Sequence, residues 1–250
     1  MSSAVPSLPP DPNQVTAEQN RLAGQMSLLE HLDEMRDRVV KSFIVVVVAT
    51  FIVAAFTPRI LKFLIVPYGR ELLVIGPTEG IAIYFRVALT GGLVLAMPVI
   101  IYHLLMFILP GLNEGEKQYV RWGVPAATIL FLVGISFSWF ILIPTAIEFL
   151  SGWQSDIFNQ EWQSQKYIPF VTSLIFWIGI SFETPLLIFI MAKLGLVTPK
   201  FLWQNWRFAV IIIAIASAMI TPTIDPFNMA LVMLPLMALY GLSILLAYLA

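Results

Sequence analysis

Six long apolar stretches alternate with polar or proline-containing segments along the chain. Their predicted bounds are 39–56, 81–109, 122–143, 169–192, 208–220 and 227–250. A helix needs about 20 apolar residues to cross a bilayer whose hydrocarbon core is ~30 Å thick. The fifth stretch falls short of that length, and Pro235 interrupts the sixth. The pattern therefore predicts an all-α polytopic membrane protein with six transmembrane helices, of which the last two are short.

A densely charged amphipathic segment leads into the first stretch. Ser27 followed by Glu30 has the spacing of a capping box, so a helix is expected to start at Ser27. One face of this helix is apolar and consists of Leu28, Leu32, Met35 and Val39. The segment lacks the lysine and arginine excess of a helix that binds anionic lipid head groups. We expect an N-terminal amphipathic helix that brings charges of both signs to the membrane surface.

The carboxylates of this helix have two alternative roles. Glu34 can pair with Arg38, and Asp37 with Lys41, since residues four apart are neighbours on a helix. Alternatively, some carboxylates remain available to a cationic partner at the membrane surface. The helix taken alone favours internal pairing.

The residues before this helix, 1–25, are rich in proline, serine and glutamine. Such a composition cannot bury enough apolar surface to fold and is typical of disordered segments. The sequence therefore predicts a disordered tail over 1–25 and a single six-span membrane domain over 26–250.

Composition excludes several classes of protein. With 59% hydrophobic residues, 12% charged residues and a mean hydropathy of +0.87, the chain is too apolar for a soluble globular domain. Its net charge of -1 lacks the basic excess of a nucleic-acid-binding protein. The absence of cysteine excludes thiolate metal sites and cysteine nucleophiles. No zinc-protease, serine-hydrolase or nucleotide-binding motif occurs, and His103 is expected to be a packed histidine. We expect no enzyme activity, cofactor or metal.

An even number of spans places both termini on one side of the membrane. That side carries nine basic residues at or beyond the ends of the spans, namely Arg21, Arg36, Arg38, Lys41, Lys117, Arg121, Lys193, Lys200 and Arg207. The other side carries four, namely Arg59, Lys62, Arg70 and Lys166. Because cytoplasmic loops carry the excess of lysine and arginine, we expect both termini in the cytoplasm.

Apart from Lys41 in the first turn of the first span, two charged residues lie inside the predicted spans. Glu183 is in the fourth and Arg86 in the second, and a charge at such a position marks function by default. Residue counting places Glu183 much deeper than Arg86, so an ion pair between them is not expected. Glu183 would then be protonated, lie in a wet groove or meet a polar group of another chain. We expect a concave, lipid- or water-filled face at Glu183 that receives a polar residue of a partner helix.

Five motifs follow one another along residues 27–250. They are H-L-D-E-M-R (His31 to Arg36), G-P-T-E-G-I (Gly76 to Ile81), F-I-L-P-G-L-N-E-G-E-K (Phe107 to Lys117), S-F-E-T-P (Ser181 to Pro185) and T-P-T-I-D-P (Thr221 to Pro226). Together with the six spans, these motifs resemble the TatC family, the receptor subunit of the twin-arginine protein translocase. The resemblance is specific, because several independent motifs occupy matching topological positions.

The resemblance implies where the functional residues lie. It implies a signal-peptide-binding surface at Glu34, Arg36, Phe107 and Glu116. It also implies an intramembrane polar or partner site at Glu183, and it places Pro67 and Asp225 on the extracytoplasmic loops. Carboxylates on the cytoplasmic surface would suit the paired guanidinium groups of a signal peptide, through charge-assisted and potentially bidentate bonds.

The resemblance further implies a substrate, partners and a membrane. The substrate would be a folded protein with an N-terminal twin-arginine signal peptide, moved by the proton motive force without a nucleotide. The partners would be TatA-type and TatB-type single-span proteins in a multimeric receptor complex. The membrane would be a bacterial cytoplasmic (inner) membrane or a thylakoid membrane. Two short final spans would thin the bilayer locally and help a pore of partner helices to open.

The chain departs from the family pattern at two positions. Gly76 stands where serine is more usual, and Gly241 stands where relatives often have a glutamate, so a second intramembrane carboxyl is absent. Two other classes of function stay open at this point. A secondary transporter would use Glu183 as a proton or substrate site, and a structural scaffold would bind no signal peptide selectively.

Overall fold

The structure is a computed structural model that describes residues 12–108, 117–153, 161–221 and 225–250, with the backbone alone for 12–31, 108 and 117–121. In these ranges the chain forms nine α-helices and one π turn, without a β-strand. The helices are α1 (Pro12–Ile65), α2 (Glu79–Ile108), α3 (Lys117–Phe137), α4 (Ile143–Gly152), α5 (Ser164–Ser181), α6 (Thr184–Lys193), α7 (Pro199–Gln204), α8 (Trp206–Ile220) and α9 (Pro226–Leu249). The π turn, Ser138–Leu142, joins α3 to α4.

The helices form a six-span bundle, as the hydrophobic pattern predicts. By length and composition, five helical segments suffice to cross a membrane, namely Leu32–Ile65, Glu79–Phe107, Trp122–Gly152, Ser164–Lys193 and Pro226–Leu249. The shorter apolar helix α8 is the sixth span. Its side chains Ile212 and Met219 are 65% and 80% exposed. Such a surface suits contact with lipid rather than water. We call the side on which α1 begins and α9 ends the terminal side, and the other the opposite side.

One span is short where two were expected. Helix α8 has 15 residues and extends about 22 Å, less than the ~30 Å of a bilayer core. Helix α9 has 24 residues and extends about 36 Å, which is membrane length. Pro235 lies inside α9 without ending it, since a proline removes a single backbone donor and neighbouring helices can support the helix at that point.

Helix α1 begins earlier than the sequence predicts, at Pro12 rather than Ser27. Proline is favourable in a first helical turn, and the residues that follow include alanine, glutamate, glutamine, leucine and arginine, which favour helix. The helix therefore extends into the segment that was expected to be disordered. Residues 1–11 of that segment lie outside the described ranges.

Helix α1 also continues beyond the expected stop at Phe56, through Pro58 to its end at Ile65. Pro58 has no N–H to donate to the carbonyl of Ala54, one turn earlier. The hydroxyl of Tyr84 on α2 donates to that carbonyl at 2.5 Å. A neighbouring helix thus supplies the missing donor, which sequence periodicity does not reveal.

Two glycines allow α2 to lie directly against α1, its most extensive partner. A Cβ added to Gly92 would lie 2.6 Å from Cα and 2.7 Å from N of Thr50. A Cβ added to Gly91 would lie 2.7 Å from Cγ1 of Val53. Small residues at such a crossing let two membrane helices approach closely, which gains van der Waals contact.

The third span also continues beyond a proline, Pro144, that was expected to end it. It was expected to end at Ile143 and to give way to a loop at Pro144, but it continues through the π turn and α4 to Gly152. The N–H of Ile143 donates to the carbonyl of Ser138, five residues earlier. Pro144 then occupies the first turn of α4, where its missing N–H is not needed.

The fourth span consists of two helices, α5 and α6, and begins ahead of the expected start at Pro169. In a continuous helix, the carbonyl of Ser181 would accept a hydrogen bond from the backbone N–H of residue 185. Pro185 has no N–H, so the series of helical hydrogen bonds is interrupted there. Phe182 and Glu183 form the turn between the two helices.

The core of the bundle lies toward the opposite side. The largest buried cluster contains Leu142, Ile143, Tyr167, Phe170 and Leu174. A second cluster, around Ile101, Leu105 and Phe131, lies toward the terminal side.

Candidate functional site

The charged residues at the start of the first span form short-range ion pairs. Arg38 donates from Nε, at 3.1 Å, and from Nη2 to Oε1 of Glu34. Nη1 of Arg36 lies 3.6 Å from Oδ1 of Asp33, and its Nη2 lies 3.7 Å from Oδ1 of Asp37. The side chain of Arg36 is 70% exposed. The expected Glu34–Arg38 pair is therefore confirmed, while Asp37 pairs with Arg36 rather than Lys41 in the described part of the chain.

These pairs are open to competition from a stronger partner. The side chain of Glu34 is 38% exposed, and that of Arg38 18%. The pairs of Arg36 are exposed and contribute roughly 0.2–1 kcal/mol, because solvent screens them and both side chains lose rotamer freedom. The Glu34–Arg38 pair is partly buried, so a second guanidinium would replace Arg38 by forming a bond of the same kind to Glu34.

Helix α2 brings Phe107, a further residue of the predicted surface, to the same end of the bundle. Helix α2 runs antiparallel to α1 and crosses it where Gly92 lies against Thr50, so His103, eleven residues further along α2, lies near the start of the first span. Nδ1 of His103 is buried and has no hydrogen-bond partner among the described residues. Phe107 lies one turn further along α2 and is half-buried. Glu116, the second predicted carboxylate, lies outside the described residues.

A buried carboxylate joins the two loops on the opposite side. Glu79, only 6% exposed, accepts hydrogen bonds from the N–H groups of Gly76 at 3.0 Å and Ile75 at 3.3 Å. It also accepts from Nε2 of Gln163 at 2.7 Å and from the hydroxyl of Ser164 at 3.4 Å. Four donors, from two segments that are distant in sequence, thus bond to one side chain.

Backbone pairing strengthens the same junction. The N–H of Leu73 donates to the carbonyl of Trp162 at 3.0 Å, and the N–H of Ser164 donates to the carbonyl of Leu73 at 2.8 Å. The N–H of Trp162 donates to the hydroxyl of Tyr68 at 3.2 Å. We call this junction of 66–79 with 161–164 the loop clasp.

Replacing Glu79 by alanine should loosen the loop clasp, because its four donors would lose their shared acceptor inside the protein. We expect proteolysis of segment 66–78 to be several-fold faster in Glu79→Ala than in the wild type, with an intermediate rate for Glu79→Gln. Limited proteolysis of the purified protein in detergent measures this. Glu71→Ala is the matched control, since Glu71 is an exposed carboxylate in the same loop. Equal cleavage rates in Glu79→Ala and the control would show that Glu79 does not hold the loop clasp together.

Pro67 and Asp225, the two predicted loop positions, have clear local roles. Pro67 lies in the turn that follows α1. The carboxylate of Asp225 caps α9, accepting from the N–H of Asn228 at 2.7 Å and from its Nδ2 at 2.9 Å.

Glu183 lies inside the bundle rather than on an open concave face. It is 4% exposed, and Oε1 has no hydrogen-bond partner among the described residues. Its neighbour Phe182 packs so closely on α3 that a Cβ at Gly134 would lie 2.9 Å from the Phe182 Cβ. The expected open face is absent because the turn ahead of Pro185 directs Glu183 into the bundle, which residue counting along a straight helix cannot anticipate.

Arg86 lies at a different level from Glu183, as expected. Its Nη2 donates to the hydroxyl of Ser173 at 3.4 Å. Ser173 precedes Glu183 by ten residues of α5 and the turn, about 15 Å along the axis. Among the described residues Arg86 has no carboxylate partner.

The sequence did not reveal the role of Glu79. In the sequence, Glu79 stands out only as a member of G-P-T-E-G-I, because nothing local indicates that Gln163 and Ser164 would approach it. The available signal was the three-residue spacing from Gly76 to Glu79, which lets a side chain accept from backbone N–H groups at a helix start.

Comparison with known proteins gives a consistent result. The family model of the Sec-independent protein translocase protein (TatC) matches residues 30–235. The Sec-independent protein translocase protein TatC of Helicobacter pylori (strain ATCC 700392 / 26695) is 35% identical over 220 residues, which cover 88% of this chain and 87% of the relative. The chloroplastic protein TATC of Pisum sativum is 32% identical, covering 86% of this chain and 62% of the relative. A crystal structure of the twin-arginine translocase receptor TatC superposes with a TM-score of 0.81 at 31% identity, covering 88% of this chain and 98% of that chain.

The fold and these matches define a multi-pass membrane protein that acts in transport and is not an enzyme. The chain belongs to the TatC family of Sec-independent protein translocase proteins. The resemblance inferred from the sequence motifs is thereby confirmed.

Proposed function

We propose that this chain is the receptor subunit of a twin-arginine translocase and binds twin-arginine signal peptides at the terminal side, which faces the cytoplasm or the stroma. The binding surface consists of Glu34, Arg36, Phe107 and Glu116. The observation that carries the proposal is the Glu34–Arg38 pair, a partly exposed carboxylate already bonded to a guanidinium at the entrance of the first span.

The signal peptide would replace an internal guanidinium by one of its own. Two adjacent arginines can engage two carboxylates, and each arginine can form paired N–H bonds to a carboxylate. Lysine carries the same charge but lacks the planar fork of donors. Recognition should therefore discriminate between a twin-arginine peptide and its twin-lysine variant, although both have the same net charge.

Crosslinking of the two peptides to the purified chain tests this proposal. A photoreactive group beside the residue pair should label residues in or beside the proposed surface with the twin-arginine peptide and much less with the twin-lysine peptide. Equal labelling by both peptides would contradict guanidinium recognition. Flux of a small solute in liposomes that contain only this chain would instead favour a transporter.

Glu183 is proposed as a site for a polar residue of a partner helix, supplied by a TatA-type or TatB-type single-span protein. Its unbonded Oε1 supports this proposal, because a buried oxygen without a donor gains from an added one. Since Glu183 is covered by its own chain, the partner would have to open the turn between α5 and α6. That turn lacks continuous helical hydrogen bonding, which makes it a suitable place to open.

We expect Glu183→Leu to weaken association with the partner about threefold to thirtyfold, the range of one intramembrane hydrogen bond, and to leave signal-peptide binding nearly unchanged. Glu183→Gln should retain much of the association, because an amide can also form this bond. Co-purification from membranes with the partner proteins measures the effect. Ser181→Ala is the matched control, since the Ser181 hydroxyl already donates to the carbonyl of Trp177.

Two results would change this assignment. Equal loss in Glu183→Gln and Glu183→Leu would favour proton transfer. Normal association in both variants would make Glu183 a structural residue.

The proposal also includes the energy source and the membrane in which the protein acts. Transport of folded proteins would use the proton motive force and no nucleotide, within a multimeric receptor complex of a bacterial inner membrane or a thylakoid membrane. The short helix α8 favours local thinning of the bilayer beside it, at a modest mismatch cost.

A further inference from the structure

A partly open apolar cavity lies between α1, α2, α3 and α5. Its volume is about 520 Å³, within the range of small-molecule sites. Among the residues that line it, only Thr90, Thr128 and Thr172 carry polar side-chain atoms. The hydroxyls of Thr128 and Thr172 donate to carbonyls of their own helices, at 2.9 and 2.7 Å. The cavity therefore offers little to a polar ligand and suits an apolar one.

A guanidinium lies beside the part of this cavity that is nearer the opposite side. Arg86 is one helical turn before Thr90 on α2, and it bonds to Ser173, the neighbour of the lining residue Thr172. Arg86 is exposed, and no carboxylate neutralises it in the described part of the chain. A cation inside a membrane span is costly unless it is paired or extends toward the interface, and guanidinium matches phosphate oxygens in geometry.

The length of the cavity corresponds to one leaflet of the bilayer. Its lining on α2 extends from Val87 to Pro98, about 16 Å along the axis, or about half of the ~30 Å core. Arg86 lies about 10 Å along α2 from Glu79, which is near the opposite surface. The guanidinium is thus at the head-group end and the apolar cavity extends toward the middle of the membrane.

The apolar lining distinguishes an acyl chain from an extended peptide. An extended peptide would bring backbone N–H and C=O groups into a space that offers them no hydrogen-bond partners. A single acyl chain has no such groups.

We propose that this cavity binds one acyl chain of an anionic phospholipid from the leaflet opposite the termini, with the phosphate on Arg86 and Ser173. The apolar lining selects a hydrocarbon chain, and the unpaired guanidinium selects an anionic head group. The lipid fills the space between the first, second, third and fourth spans. This site goes beyond the proposed receptor function and does not depend on it.

Native mass spectrometry of the purified full chain in detergent tests the proposal. The probes are phosphatidylglycerol and phosphatidylcholine with the same acyl chains, titrated separately. The wild type should bind phosphatidylglycerol about fivefold more tightly, the effect of one basic residue on an anionic lipid. Arg86→Ala should lose this preference and Arg86→Lys should keep most of it. Arg59→Ala should keep it fully, since Arg59 is an exposed arginine near the same surface.

A second variant tests the cavity itself. Thr90→Phe fills the end nearest Arg86 and should weaken the binding of both lipids while Arg86 remains. If this variant does not fold, as judged by circular dichroism and gel filtration, the Arg86 variants still decide the question. Equal affinity of the wild type for both lipids, or a preference that persists in Arg86→Ala, would overturn the proposal. Photocrosslinking of a signal peptide to Thr90 that neither lipid reduces would also overturn it and assign the cavity to the peptide.

Discussion

Glu34→Lys is expected to reduce the affinity for a twin-arginine signal peptide at least about tenfold, while the protein still inserts and folds. The substitution removes the acceptor of a charge-assisted bond and places a second cation beside Arg38, so the incoming guanidinium meets repulsion. Fluorescence anisotropy of a labelled signal peptide with the purified protein in nanodiscs measures the affinity. Glu116→Lys should have the same effect if the two carboxylates form one surface.

Asp37→Lys is the matched control for this charge reversal. Asp37 belongs to the same helix, and its side chain is 62% exposed and contacts Arg36 rather than Arg38. The control should lose much less affinity, and high salt should reduce its loss further, because long-range attraction between exposed charges is screened. If Glu34→Lys and Glu116→Lys both bind the peptide normally, the proposed surface is wrong. Equal losses in Glu34→Lys and Asp37→Lys would indicate a general effect of net charge.

Gly92→Ala is expected to destabilise the protein by about 3 kcal/mol or more. The new Cβ would lie 2.6 Å from Cα of Thr50, and a backbone atom cannot move aside without separating α1 from α2. Overpacking of a well-packed core typically costs about 1–3 kcal/mol, and a contact with backbone belongs at the upper end of that range or beyond. Thermal unfolding in detergent, followed by circular dichroism, measures the loss.

Gly241→Ala provides the matched control, because a Cβ at Gly241 would meet no atom within 4 Å among the described residues. Alanine has the higher helix propensity, so the control should be as stable as the wild type or slightly more stable. A melting temperature of Gly92→Ala equal to that of Gly241→Ala would contradict the close crossing of α1 and α2.

The sequence predicted the architecture well because a membrane imposes simple rules. Any segment that crosses the bilayer must be apolar and must satisfy its backbone internally, so hydropathy alone locates spans. The second span, expected from residue 81, begins at Glu79, and the short fifth span was identified from its length. Motif order was sufficient to recognise the family.

Two errors in the predicted helix ends have a common physical origin in proline. Pro58 and Pro144 were expected to end helices, and both lie within them. Each helix continues because of a feature that no local pattern encodes: a hydroxyl from α2 in the first case and a π turn in the second. Within a bundle, neighbouring helices replace the donors that proline removes.

The candidate site was predictable in part. Glu34 and its pairing with Arg38 follow from helical spacing, which is local information. The burial of Glu183 depends on the direction of the turn at Phe182, and the loop clasp depends on contact between segments about 85 residues apart. Such contacts arise only from tertiary structure.

A double-mutant cycle between Glu34 and the signal peptide tests the central claim most directly. The four dissociation constants are those of the wild type and Glu34→Gln, each with the twin-arginine and the twin-lysine peptide. If Glu34 receives a peptide guanidinium, the two changes should not be independent: the preference of the wild type for twin-arginine should exceed that of Glu34→Gln about tenfold. If both proteins show the same preference, Glu34 does not contact the arginine pair and the proposed receptor surface lies elsewhere.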